Sequence, residues 1–236
     1  MKKNKKILIF FLLLVGIKIN AQEKIVSKEL KYRTINIEDF SSLKVYSGIE
    51  VKLFASEKNL IKIYGEEKNL VVSKIKRNTL KIRQPIKYIL NPTFIYVELY
   101  YKSNLDNIIL YQGSSLSTES SISQISISLR VQEGSTMNID YEGEKINSTV
   151  TTGGQLFIKG RATNHKSVVN SGGSCEAETL ITEQTKVSVT AGGLSYVNAT
   201  RLIEAKVTAG GIIRIYGKPK KMITKQTIGG KIYEMN

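Results

Sequence analysis

The chain has 236 residues, with one cysteine, one histidine, no tryptophan, 12 tyrosines and a formal net charge of +15. A single cysteine excludes an intrachain disulfide, and a lone histidine with no metal-ligand spacing around it excludes the usual zinc sites, so no metal and no cofactor is expected. The excess of lysine and arginine favours anionic partners, yet the basic and aromatic constellation of a nucleic-acid module is missing, and nucleic acid is not an expected partner.

In chain order, Lys2 to Lys6 form a basic start, Ile7 to Ile17 an apolar run of 11 residues, and Ala21 closes a short polar segment. This is the layout of a secretory signal peptide, residues 1–21. A membrane-spanning helix needs about 20 apolar residues, so the run is too short, and no transmembrane segment is expected after its removal. The leader carries five lysines and no acid, which leaves residues 22–236 with a net charge of +10. The expected location is outside the cytoplasm, in the periplasm or at the outer surface.

Residues 40–53 contain a first corner: Val45 stands three residues before Gly48, and Val51 and Leu53 stand three and five after it. Alternating strands are then predicted at Leu60 to Tyr64, Leu70 to Ile75, Leu80 to Ile82, Phe94 to Tyr100 and Ile108 to Tyr111, with turns at Glu66 to Asn69 and Asn78-Thr79. The stretch from Gln84 to Pro92 reads as a protruding lobe or cap. No linker rich in Gly, Ser or Pro divides the chain. Residues 22–236 are therefore expected to be one domain, irregular over 34–112 and regular over 113–236.

The regular part is set by seven signals: Gly113-Ser114, Gly134-Ser135, Gly153-Gly154, Gly172-Gly173, Gly192-Gly193, Gly210-Gly211 and Gly229-Gly230, spaced 18 to 21 residues apart. Three residues before each first glycine stand Leu110, Val131, Val150, Val169, Val189, Val207 and then Gln226. Three after stand Leu116, Met137, Leu156, Cys175, Ser195, Ile213 and Ile232. Strands with one buried face alternate in this way, and a fixed period of this length is the mark of stacked coils. The expected fold is all-β, a right-handed parallel β-helix with coils of about 19 residues and two inward strands per coil. Tight corners between strands favour positive φ, and a pair of glycines suits two such positions.

The stretch Phe40 to Leu53, the pattern Asn69 to Ile82, the segment Leu105 to Ser115 and the later Gly-Gly coils together resemble the head GIN domain, a family described as an auto-transporter adhesin. The resemblance covers Thr34 to Ile232. It implies a secreted bacterial β-helix of the envelope with adhesion as its label, and it brings no catalytic residues with it.

Catalytic constellations are sparse. The carboxylates of the regular coils, Glu133, Asp140, Glu142, Glu144, Glu176, Glu178, Glu183 and Glu204, do not fall in one column; Asp140 and Glu178 share one offset and are a conceivable stacked pair for glycoside chemistry. His165 reads as an exposed loop residue and Cys175 as a small core residue. No catalytic residue is assigned. Recognition residues are easier to nominate. Tyr141, Tyr196 and Tyr216 offer flat amphipathic contacts. Thr151, Thr190 and Thr208, each two residues before a glycine signal and followed by Thr227 in the same position, form a hydroxyl row that either meets a repeating glycan or is a solvated strand face. Three functions stay open: an adhesin-like binding scaffold for glycan or another anionic envelope polymer, a carbohydrate-active lyase or hydrolase, and a structural component whose coil edge pairs with another chain, a homo-oligomer included.

Overall fold

The computed structural model describes residues 31–85 and 94–235. The expected signal peptide, and the expected lobe apart from Gln84 and Pro85, lie outside the described residues. In chain order the first strands are β1 (Tyr32–Asn36), β2 (Ser42–Val45), β3 (Glu50–Ala55), β4 (Leu60–Tyr64), β5 (Val72–Lys76), β6 (Thr79–Arg83), β7 (Tyr96–Tyr101), β8 (Asn107–Leu110) and β9 (Ser115–Thr118). They are followed by β10 (Ile122–Ser123), β11 (Ser126–Val131), β12 (Thr136–Val150), β13 (Gln155–Val169), β14 (Ser174–Thr190), β15 (Leu194–Thr208), β16 (Ile212–Tyr216), β17 (Lys221–Gln226) and β18 (Lys231–Glu234).

Each glycine corner is a type I′ turn. Two consecutive residues take positive φ: first a non-glycine residue, from Ser47 through Gln112, Glu133 and Thr152 to Ile228, at 25–64°, then the first glycine of the signal, from Gly48 to Gly229, at 67–78°. Type I′ geometry requires positive φ at both central positions. The closing bond is present, as in Gly154 N–H to the Thr151 carbonyl at 3.1 Å and Gly173 N–H to that of Asn170 at 3.0 Å. The second glycine therefore has a different task from the one expected. At 154, 173, 193 and 230 its φ is ordinary, and it is needed because the coil wall comes close: a Cβ on Gly154 would lie 2.6 Å from the Val131 carbonyl oxygen, and one on Gly193 2.9 Å from Val169 Cγ1.

Stacked corners align three faces, a parallel β-helix in which the strands of each face bond to their equivalents one coil away. Face A runs through β6, β2, β8 and β11, then the final segments of β12 to β15, to β17. Face B runs through β7, β3 and β9, then the first segments of β12 to β15, to β16 and β18. A short third face, where two strands per coil were expected, stacks β10 on the middle of β12 and continues Tyr141, Gly160 and Leu180 in register. It escaped the alternation rule because it is only two or three residues wide and its register slips between Phe157 and Gly160. Inside, the valine column and its partners are fully buried, Val150, Val169, Val189, Val207, Met137, Leu156 and Ile213 all at 0% exposure. Each such side chain contributes about 1.5–3 kcal/mol when withdrawn from water.

The ends differ from the middle. Residues 42–55 do form a coil, but β2 and β3 lie between the β6/β7 pair and the β8/β9 pair, so the chain winds outward before it winds on. The N-terminal end is closed by antiparallel strands: β4 on β7, β1 on β4, and β5 on β6. At the other end the final coil puts polar residues on core positions. Thr224 follows Ala205, Gln226 follows Val207 and Glu234 follows Ile215 in register, and all three polar side chains are exposed. A terminal coil with a polar outer surface keeps the open end of a solenoid soluble.

Candidate functional site

The outward row of face B passes from strand to strand through Asn138, Phe157, Glu176, Tyr196, Arg214 and Tyr233. Where it meets the next outward positions, a groove of about 350 Å³ opens, lined by Ser117, Glu119, Asn138, Asp140, Phe157, Lys159, Glu176, Glu178 and Thr179. Its chemistry is mixed: one aromatic ring, one amide, three hydroxyls counting that of Thr118, and carboxylates of which two are neutralised. Asp140 pairs with Lys159 at 3.3 Å, its register neighbour, and Glu119 pairs with Lys52. Lys159 thus stands between Asp140 and the coil that carries Glu178. One Glu178 oxygen is buried and has no hydrogen-bond partner.

Two of the nominated tyrosines extend this face. Arg214 Nη1 donates to the Tyr196 hydroxyl at 3.0 Å, with the guanidinium 5.1 Å from that ring's centre. Tyr216 meets Tyr196 edge-on at 6.4 Å. Tyr141 requires a correction. It is 0% exposed, and its hydroxyl donates among the Gln124, Ile125 and Lys145 carbonyls, because its offset points into the third face and not outward. Thr151, Thr190 and Thr208 lie elsewhere, at the first positions of their corner turns. Thr190 and Thr208 are adjacent in register, whereas Asn170 stands between Thr151 and Thr190 and accepts a bond from the Thr190 hydroxyl at 3.3 Å. All three threonines are half-buried.

His165 is also corrected: it is 2% exposed and lies within β13, not in a loop. Its register neighbours are Ile146 and Thr185, both buried, which marks an inward column. Ser148 Oγ lies 2.9 Å from His165 Nε2, while Nδ1 has no partner. Burial lowers the imidazole pKa from 6.5 to about 4. Cys175 is a core residue as expected; Ser148 Oγ approaches its sulfur to 3.9 Å, and burial pushes the thiol pKa up to about 11. Among the described residues no group of three His, Cys, Asp or Glu side chains converges as a metal site.

At the N-terminal end of face B lies an aromatic cluster that single strands do not reveal. Tyr32, Tyr64 and Tyr96 follow one another at 5.2 and 5.6 Å, and Phe54 stacks on Tyr100 at 4.9 Å. Lys62 sits over the Tyr100 ring at 4.9 Å and pairs with Glu98 at 3.7 Å. Burial, then a hydrogen bond to Glu98, raises Tyr64 to about 12. The cluster depends on β4 and β1 folding back antiparallel. The local signal was Tyr64 at the end of β4 and Tyr96 and Tyr100 on one side of β7.

A family model described as "Putative auto-transporter adhesin, head GIN domain" matches residues 39–219. None of the curated proteins matches the chain. Among solved structures, an adhesin-labelled protein of Bacteroides fragilis is 19% identical with a TM-score of 0.79, over 89% of this chain and 98% of that one. One from Parabacteroides distasonis, likewise called a "putative adhesin", is 20% identical with a TM-score of 0.68, over 87% and 96%. A second from P. distasonis, called a "Putative lipid binding protein", is 15% identical with a TM-score of 0.63, over 87% and 96%. At these identities the likeness shows the fold.

Proposed function

We propose, since the chain belongs to the head GIN domain family, that residues 22–236 form an exported, non-catalytic binding scaffold of the cell envelope that holds a glycan against face B. The observation that carries this reading is the groove in which the Phe157 ring stands beside the Asn138 amide and the Glu176 and Glu178 carboxylates. A sugar ring has an apolar face that lies on an aromatic side chain, and hydroxyls that donate to carboxylates and pair with amides. Phe157, Asn138, Glu176 and Glu178 supply these groups, and Tyr196, Arg214 and Tyr216 continue the face along the direction in which the coils stack. Export is supported by the signal-peptide pattern of residues 1–21 and by the adhesin description of the family.

Retention of the purified protein on a panel of neutral polysaccharides tests the proposal. Binding that is lost in Phe157→Ala and Glu178→Gln, without release of new chain ends, supports it. Equal retention of parent and variants refutes it. A second reading, a glycoside-cleaving enzyme, draws on the gathering of Glu119, Asp140, Glu176 and Glu178 in one groove. Two of these four are held in ion pairs with lysine, which argues for binding over an acid and base pair. New reducing ends that disappear in Asp140→Asn and Glu178→Gln would establish the enzyme instead.

A further inference from the structure

On face A, at the capped end, the cross-strand register brings like charges together. Lys74 of β5 is the direct partner of Lys81 of β6, and Lys81 is the direct partner of Lys44 of β2. Strands lie about 4.8 Å apart, and like charges placed directly opposite destabilise a sheet. Lys76 and Arg83 stand on the same hairpin. No ion pair engages any of these five cations among the described residues, although Lys52, Lys62, Lys102, Lys159, Lys186 and Arg201 all have one.

These side chains do not simply stud a convex surface. Lys74, Lys76, Lys81 and Arg83 line a cleft of about 470 Å³ whose other walls are Tyr46, Ser47, Val72, Gln84 and Gln112, with no carboxylate among them. The Tyr46 ring is stacked on Tyr111 at 4.6 Å and 2°, which holds it as a rigid wall. The acid with an electrostatic influence on Tyr46 is Glu133, on the corner beyond Gln112. A cleft that gathers four cations, a fixed aromatic ring and neutral amides, with no ion pair to those cations among the described residues, is complementary to an anion that has a ring.

We propose that this cleft binds an acidic polysaccharide through the carboxylate groups of its uronate units, with Lys74, Lys81 and Arg83 meeting the charge and the Tyr46 ring meeting a sugar face. A chain that follows a recess is favoured over a flat bilayer, since the four exposed cations border a cleft whose wall includes the Tyr46 ring. The Lys74–Lys81–Lys44 row also repeats its charge at strand spacing, on the order of one sugar unit. The site shares no residue with the face B groove and does not depend on it.

The test is affinity electrophoresis of the purified protein through gels containing polygalacturonate, neutral galactan or no polymer, with flotation on phosphatidylglycerol vesicles alongside. The expected result is retardation by polygalacturonate that weakens with salt. In Lys74→Gln/Lys81→Gln the affinity should fall by about tenfold or more, with no change in Lys206→Gln/Lys225→Gln on the far end of the same face. The first pair relieves a repulsion, so the variant should fold at least as stably as the parent, and its melting temperature checks this. Unchanged polygalacturonate affinity in Lys74→Gln/Lys81→Gln, or capture by vesicles without capture by polygalacturonate, overturns the proposal. Phe157→Ala serves as the separating control: it should leave polygalacturonate binding intact whether or not the face B proposal holds.

Discussion

Acidification should weaken this fold through one residue. His165 is 2% exposed and its pKa is lowered by burial from 6.5 to about 4. The folded state then binds fewer protons than the unfolded chain between these two values, so stability is highest above pH 6.5, falls as pH drops towards 4, and loses nothing further from this group below that. At about 1.4 kcal/mol for each tenfold difference in proton affinity, the loss is about 3 kcal/mol. The assay is urea unfolding at several pH values from 7.5 to 3.5, comparing the parent with His165→Leu. Leucine suits a column whose neighbours include Ile146 and, one coil beyond Thr185, Ile203. The carboxylates titrate in both proteins, so the difference between the two curves isolates the imidazole. That difference should shift by about 3 kcal/mol in favour of the variant across the window. A difference that stays flat from pH 7.5 to 3.5 would mean that His165 takes up its proton without leaving the fold, and the buried, neutral assignment would be wrong.

Other consequences are measurable on the same scaffold. Gly154→Ala should cost about 1–3 kcal/mol in urea unfolding because the new Cβ meets the Val131 carbonyl at 2.6 Å. Leu156→Ala, at a fully buried position in the middle of the stack, should cost about 2–5 kcal/mol. The Cys175 thiol, buried with its pKa near 11, should resist a thiol reagent at pH 8 in the folded protein and react rapidly in urea; rapid reaction of the folded protein would place it near the surface. Gln226→Val with Glu234→Ile restores apolar residues at two core positions of the last coil, and should make a monomeric chain associate in size-exclusion chromatography.

The repeat was legible because it is local. Val131, Val150, Val169, Val189 and Val207 recur at one offset from a glycine, and each is buried where that offset places it. Gln226 broke the valine column in the sequence, and the structure gives the reason: like Glu234, it is exposed on the last coil. Residues whose direction depends on an irregular corner were not legible. Tyr141 and His165 sit past the second strand of the coil, where the third face disturbs the alternation; one was expected to meet ligand and the other solvent, and both are buried. The adjacency of Lys74, Lys81 and Lys44 was out of reach for another reason. It joins β5 and β6 to β2 across more than 30 residues of chain, and local periodicity carries no information about which strand a hairpin will lie beside.

The same distinction bears on where function can reside. A strict repeat places like residues at like offsets, and this gives stability and even faces but few unique constellations. Departures from the repeat are therefore where chemistry collects. Face B becomes a groove where Phe157 is followed by a register slip before Gly160. Face A becomes a cation cleft where the β5–β6 hairpin is added beyond β2. The slip on face B is tolerated because the antiparallel strands at one end and the polar coil at the other close the stack independently of it, and the β5–β6 hairpin on face A is itself part of the antiparallel closure. Binding residues can then change on either face without touching the valine columns that hold the coils together.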